Sequence, residues 1–204
     1  MRSLILGTRN PGKVKEIVEI LGDAGWSFSS LREFVNVATA EENGDTYADN
    51  AIAKARYYAM ATGLCALADD SGLEVAALGG APGVFSACYA GAHASDADRC
   101  ALLLSELIKV GDPNRRARFV AVVAIATPGG KVLNLSEGIC EGTITHAPRG
   151  TGGFGYDPLF IPDGYDQTFA ELPDTIKNQI SHRARALLST RTFLSELDHP
   201  LPSS

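Results

Sequence analysis

The stretch that decides the fold is Leu4-Ile5-Leu6-Gly7-Thr8-Arg9-Asn10-Pro11-Gly12-Lys13-Val14. Three apolar residues read as a buried strand, and the polar, glycine-bearing segment after them leads into a helix. Asn10 is the expected N-cap, Pro11 the first helical residue and Gly22 the stop. Val14, Ile17, Val18 and Leu21 then fall at i, i+3, i+4 and i+7 and are expected to form the buried stripe. Gly7 to Lys13 also spells G-x-x-x-x-G-K, the loop whose N–H groups cradle phosphates. The next residue should be Ser or Thr, whose hydroxyl holds Mg²⁺, and here it is Val14. The loop can still take an anion at the helix N-terminus, but a metal has to be held elsewhere. That points away from ordinary P-loop NTPases and towards carboxylates further along. A plain strand–turn–helix uses the same geometry, so this segment alone leaves both readings open.

Outward from this unit, strand and helix signals alternate. Trp26 to Leu31 reads as a short strand, followed by the polar loop Thr39-Ala40-Glu41-Glu42-Asn43-Gly44-Asp45. Thr46 starts a helix with Asp49 three residues on, an acidic variant of the capping box. Tyr47, Asn50 and Lys54 share one of its faces. Leu64 to Ala68 is a short buried strand ending in Asp69-Asp70-Ser71-Gly72, and Leu78 to Gly83 is loop. Ser95, with Asp98 at N3, caps a helix whose core stripe is Cys100, Leu103, Leu104 and Leu107. Arg116 to Thr127 and Lys131 to Cys140 form a hairpin about Pro128-Gly129-Gly130. The C-terminal third ends in a helix carrying Ala184, Leu187, Leu188 and Leu194. A parallel start followed by an antiparallel hairpin makes an α/β fold with a mixed sheet and flanking helices.

With 204 residues, 45% of them hydrophobic, the chain suits one globular domain with a substantial core. A net charge of −6 disfavours nucleic-acid binding, which needs a basic surface. No apolar run approaches the ~20 residues of a membrane span. Met1-Arg2-Ser3 followed by a short strand does not read as a signal peptide. Cys65, Cys88, Cys100 and Cys140 show no C-x-x-C spacing and read as reduced thiols of a cytoplasmic protein.

Three places can carry chemistry. Glu41-Glu42 in a loop and Asp69-Asp70 at a strand end are oxygen ligands of the kind Mg²⁺ prefers, and strand ends are where α/β sheets bind ligands. The bland readings are a solvated loop and a tight turn. Gly150, Gly152 and Gly155 spell G-x-G-x-x-G, but no strand leads into them and Pro158 follows, which excludes a dinucleotide fold. What remains is flexible backbone beside Phe154, Tyr156 and Asp157, where an aromatic ring either stacks on a nucleobase or belongs to the core of the next strand. Lys177, Ser181, His182 and Arg183 cluster at a helix start, with Lys177 and Ser181 on one face if the helix is continuous. This donor-rich set suits a purine with a C6 carbonyl and mismatches the amino group of adenine. A solvated basic helix start is the alternative.

Thr8 to Lys13, Ala68-Asp69-Asp70-Ser71-Gly72-Leu73, Leu78-Gly79-Gly80-Ala81-Pro82-Gly83, Gly152-Gly153-Phe154-Gly155-Tyr156-Asp157-Pro158 and Ile180-Ser181-His182-Arg183, in this order, resemble the inosine/xanthosine triphosphate pyrophosphatases. These enzymes clear deaminated purine nucleotides. The resemblance spans Leu4 to about Leu188 and overrides the turn and core alternatives. It implies a single nucleoside-triphosphate pyrophosphatase domain over residues 1–204, with an elongated two-lobed α/β fold and the active cleft between the lobes. It also implies a homodimer that uses Mg²⁺ to hydrolyse ITP, dITP or XTP to the monophosphate and pyrophosphate. By similarity, Thr8, Arg9, Asn10, Pro11, Gly12 and Lys13 wrap the phosphates and Lys54 adds positive charge. Glu41 and Asp70 look like the metal carboxylates. Asp70 is the base for the attacking water, with Asp69 and Lys13 beside it in catalysis. Ser71 touches the substrate. Phe154 stacks on the base, and Gly155, Tyr156, Asp157, Lys177, His182 and Arg183 line the base and sugar pocket.

The chain departs from the family pattern in two places. Cys88 stands where bacterial members commonly carry Arg, which removes a positive group. Leu172-Pro173-Asp174-Thr175-Ile176-Lys177 lacks the acidic pair often seen before the lysine, so small effects on helix geometry are expected there.

Overall fold

The computed structural model describes residues 3–22 and 25–197. Six strands form one mixed sheet in the order β2-β1-β3-β4-β5-β6. β1 (Ser3–Leu6) pairs in parallel with both β2 (Ser27–Ser30) and β3 (Ala66–Val75). β4 (Arg116–Ala126) and β5 (Val132–Ile144) are sheet neighbours joined by a turn in which Thr127 N donates to Lys131 O. So short a connection joins strands only antiparallel. β6 (Phe160–Pro162) closes the order antiparallel to β5.

The helices are α1 (Pro11–Leu21), α2 (Tyr47–Thr62), α3 (Asp96–Val110), α4 (Asp174–Ile180) and α5 (His182–Glu196). The expected caps are present. The Asn10 side chain accepts from Gly12 N and Lys13 N, Thr46 accepts from Asp49 N, and Ser95 and Asp98 form a reciprocal capping box.

The chain divides into two compact units, one of residues 1–70, 121–138 and 183–204, the other of residues 71–120 and 139–182. In the first, Leu4, Leu6, Ile17, Leu21, Trp26, Leu67, Val123 and Leu187 build the core. In the second, Leu73, Leu103, Phe119, Tyr156, Phe160 and Phe169 do so. The chain crosses from one unit to the other inside β3, β4 and β5 and between His182 and Arg183.

Three expectations need correction. The buried face of α1 is Glu16, Ile17, Ile20 and Leu21, while Val18 is exposed. The stripe is rotated because Glu16 turns inward to pair with Arg183 at 2.6 Å. Asp69-Asp70-Ser71-Gly72 is not a turn at a strand end but the middle of β3, which runs on to Val75. β1 stops at Leu6, opposite Leu67, so the acidic pair lies just past the end of β1. Lastly, the C-terminal helix is broken. Ser181 is extended (φ −67°, ψ 158°) and separates α4 from α5, so Lys177 and Ser181 do not share a continuous helix face.

Candidate active site

The loop between β1 and α1 is built by Asn10. Its Oδ1 accepts from Gly12 N at 2.9 Å and Lys13 N at 3.2 Å, and Thr8 Oγ1 accepts from Asn10 N. Two of the N–H groups expected to cradle phosphate are therefore satisfied internally. Gly7 is fixed by close packing, because a Cβ there would lie 2.8 Å from the Tyr58 ring and 3.0 Å from Leu67 O. Arg9 donates to Val37 O.

Asp69 and Asp70 are successive strand residues, so their side chains leave opposite faces of β3. Both are buried, Asp69 against two cations and Asp70 against one. Asp69 Oδ2 accepts from Lys13 Nζ at 2.9 Å and Arg183 Nε at 3.1 Å, and the guanidinium continues to Glu16. Burial opposes ionisation of Asp69, but Lys13 and Arg183 together outweigh it and hold its carboxyl below the usual carboxylate range. The same burial lowers Lys13, with Asp69 opposing. Asp69 Oδ1 is buried with no hydrogen-bond partner among the described residues.

Asp70 sits between Lys54 Nζ, 3.0 Å from Oδ1, and Asn50 Nδ2, 3.1 Å from Oδ2. Burial prevails there and raises its carboxyl above the ordinary value, against the pull of Lys54. Lys54 also reaches Glu42 Oε1 at 2.6 Å. Burial lowers the Lys54 ammonium, but Asp70, Asp69 and Glu42 outweigh it and leave the group raised. The acidic loop thus enters this cluster through Glu42, while the exposed Glu41 accepts from Asn43 Nδ2 at 2.9 Å.

A second constellation belongs to the other unit. Lys177, buried to 4% exposure, donates to Asp157 Oδ2 at 2.6 Å and lies 4.8 Å from the centroid of the half-buried Phe154 ring. Asp157 Oδ2 also accepts from Phe154 N. Gly153 (φ +69°) is required here, since a Cβ would overlap the Asp157 carboxylate. The His182 ring stacks on Phe119 with centroids 4.6 Å apart and planes at 10°. Gly155 N donates to Asp96 Oδ2. Tyr156 is a core residue whose hydroxyl donates to Ser86 O. Ser71 is partly buried. None of Lys177, Ser181, His182 and Arg183 is solvated, so the basic run is not a surface helix start. The exposed Cys88 places a thiol near Phe85 O, and the cation beside this segment is Arg99, whose Nη1 donates to Ala87 O at 3.0 Å.

The model of the Ham1 family matches residues 4–193, almost the whole chain. The chain belongs to the Ham1 family. It is 52% identical over 194 residues to a dITP/XTP pyrophosphatase of Desulforamulus reducens, covering 95% of this chain and 96% of that one. It is 50% identical over 184 residues to one of Thermus thermophilus, covering 90% and 87%. The solved structure of a HAM1 protein from Coxiella burnetii, 44% identical, superposes with a TM-score of 0.89 over 97% of this chain and 100% of that one.

The Ham1-family fold brings in residues outside the sequence motifs: Glu16, Asn50, Tyr58, Asp96 and Phe119. Of these, Asn50 shares a helix face with Lys54 by spacing, and its contact with Asp70 has no sequence signal beyond that. The donors fit a hard cation. Asp70 and Glu42, bridged by Lys54, offer carboxylate oxygens on one face of β3 with the exposed Glu41 next to them in the chain, and Asp69 Oδ1 is an unsatisfied buried acceptor on the other face. Among the described residues no group of three or more His, Cys, Asp or Glu is gathered to hold a metal by itself. Mg²⁺ commonly takes one or two carboxylates and fills its shell with water and substrate phosphate, which suits this sparse set.

Proposed function

We propose that this chain hydrolyses deaminated purine nucleoside triphosphates, ITP, dITP and XTP, to the monophosphate and pyrophosphate, with Mg²⁺ and as a cytoplasmic homodimer that cleanses the nucleotide pool. The observation that carries this reading is Asp70: a buried carboxylate gripped by Lys54 and Asn50, in a chain whose relatives bear dITP/XTP pyrophosphatase names.

Thr8, Asn10 and Lys13 receive the phosphates, and Lys54 adds a second ammonium to the neutralisation that phosphoryl transfer demands. Asp70, assisted by Glu41 and Glu42, holds the metal and orients the attacking water. The same carboxylate is the acceptor for the proton of that water. Mg²⁺, when bound, supplies charge neutralisation at the phosphates and lowers the pKa of bound water. Phe154 stacks on the base. Lys177 and His182 offer donors to a C6 carbonyl, and the amino group of adenine would meet donors there and lose its partner. The phosphate-side and base-side residues are joined through the chain itself, Asp70 to Ser71 in β3 and His182 to Arg183 at α5. The strongly exposed Phe85, on the apolar Ala81–Tyr89 segment, suits a dimer contact.

Steady-state assay of pyrophosphate release from ITP, XTP and ATP, with and without Mg²⁺, tests this. Rapid metal-dependent release from ITP and XTP supports it, and orthophosphate as the product refutes it.

A further inference from the structure

α2 carries Asn50, Lys54 and Tyr58 at i, i+4 and i+8, one face of three successive turns. The acidic loop runs along this face in the opposite direction and is tied at each turn. Ala40 N donates to Tyr58 Oη at 3.1 Å, Lys54 Nζ donates to Glu42 Oε1, and Gly44 N donates to Asn50 Oδ1 at 2.8 Å. Because a backbone N–H can only donate, the Asn50 oxygen must face Gly44. Its NH₂ is then turned to Asp70 Oδ2 at 3.1 Å, with a longer contact to Gly44 O. Asn50 is 2% exposed, so neither end is exchanged for water. Gly44 is shaped to this contact, since a Cβ would lie 2.8 Å from Asn50 Oδ1 and 2.7 Å from Asp49 Cβ. The same stripe reaches the phosphate loop, where the Tyr58 ring packs against Gly7.

We infer that Asn50 is a positioning residue that fixes the acidic loop to Asp70, so that Glu42 and Asp70 meet the metal and the attacking water in one register; this rests on the function proposed above. Only a primary amide does this. It accepts from Gly44 and donates to Asp70 without adding charge, whereas a carboxylate would keep the first contact and repel Asp70 at the second. Lys54 supplies charge to the same oxygen set and Asn50 supplies register.

The test compares the parent protein with Asn50→Ala, Asn50→Asp and Tyr58→Phe. Amide exchange at Gly44 by NMR reads the loop end, Mn²⁺ titration by electron paramagnetic resonance reads the metal set, and ITP kinetics read catalysis. In Asn50→Ala, Gly44 exchange accelerates, and kcat and Mn²⁺ affinity each fall about 10- to 100-fold, the scale for losing the partner of a ligating carboxylate. KM for ITP changes by less than about threefold, because the base-side residues are untouched. In the near-isosteric Asn50→Asp, Gly44 stays protected while kcat falls to the same extent. Tyr58→Phe accelerates exchange at Ala40 alone. A folded Asn50→Ala protein with parental Gly44 protection, or with kcat and Mn²⁺ affinity within about twofold of the parent, overturns the inference. A parent that hydrolyses no nucleoside triphosphate overturns the function instead, and exchange at Gly44 still decides whether Asn50 holds the loop.

Discussion

Arg183 donates its Nε–H to Asp69 Oδ2 at 3.1 Å across 114 residues of sequence. Lys13 closes on the same oxygen, so one carboxylate holds both the start of the first helix and the start of the last. Replacing it leaves Lys13 and the buried Arg183 facing each other, with Glu16 still on the guanidinium. Asp69→Asn is therefore expected to lose about 3–5 kcal/mol of stability, the scale for breaking a buried ion pair, measured by urea unfolding at pH 7.

The pH dependence of that loss has a fixed sign. The folded Asp69 carboxyl is depressed by Lys13 and Arg183 against its burial. Its contribution is complete above the unfolded value of about 3.9 and disappears as pH falls through the lower folded value. The gap between parent and Asp69→Asn should stay level from neutrality down to about pH 5 and shrink only in stronger acid. A gap that closes between neutrality and mild acid would contradict this assignment.

Much of the frame was legible because local chemistry dictated it. Asn10-Pro11, Thr46-Asp49 and Ser95-Asp98 mark helix starts by capping alone; Asn10 and Ser95 cap as read, and Thr46 caps Asp49 N while the Asp49 carboxylate accepts from the Thr46 hydroxyl. The parallel start and the hairpin likewise followed from apolar runs and turn residues. What was hidden depends on pairs distant in sequence. Periodicity counts Glu16 as polar and places it outside, yet Arg183 brings it in. Asp69-Asp70 looks like a turn because the cations that let it lie inside a strand come from Lys13, Lys54 and Arg183. The break at Ser181 has no proline or glycine to announce it.

Phe154 offers its ring beside Lys177. If it stacks on the purine, Phe154→Ala should raise KM for ITP by about 5- to 150-fold, matching 1–3 kcal/mol of base stacking, with kcat little changed. Phe154→Trp should restore affinity. Equal KM values for the Ala and Trp variants would show that no base rests there.

Lys177 is the buried donor paired with Asp157. Lys177→Met should reduce the preference for ITP over ATP, as a ratio of kcat/KM, by about tenfold or more, since the donor that mismatches adenine is gone. Lys177→Arg keeps the charge and separates loss of donor position from collapse around an unpaired Asp157. An unchanged ratio in both variants would move base selection elsewhere.

Gly153 holds a positive φ against the Asp157 carboxylate. Gly153→Ala should cost about 1–3 kcal/mol of strain, seen as a lower melting temperature or, where Phe154 shifts to relieve it, as a higher KM for ITP. A variant with parental melting and kinetics would mean that the loop relaxes freely.

The most direct test of the central claim is product analysis of ITP hydrolysis by the parent and by Asp70→Asn, with Mg²⁺ present and removed. The parent with Mg²⁺ should yield IMP and pyrophosphate, and the variant, or the parent stripped of metal, should lose at least about 100-fold in rate, the low end for a positioned acid or base. IDP and orthophosphate as products, or full activity of Asp70→Asn, would contradict it.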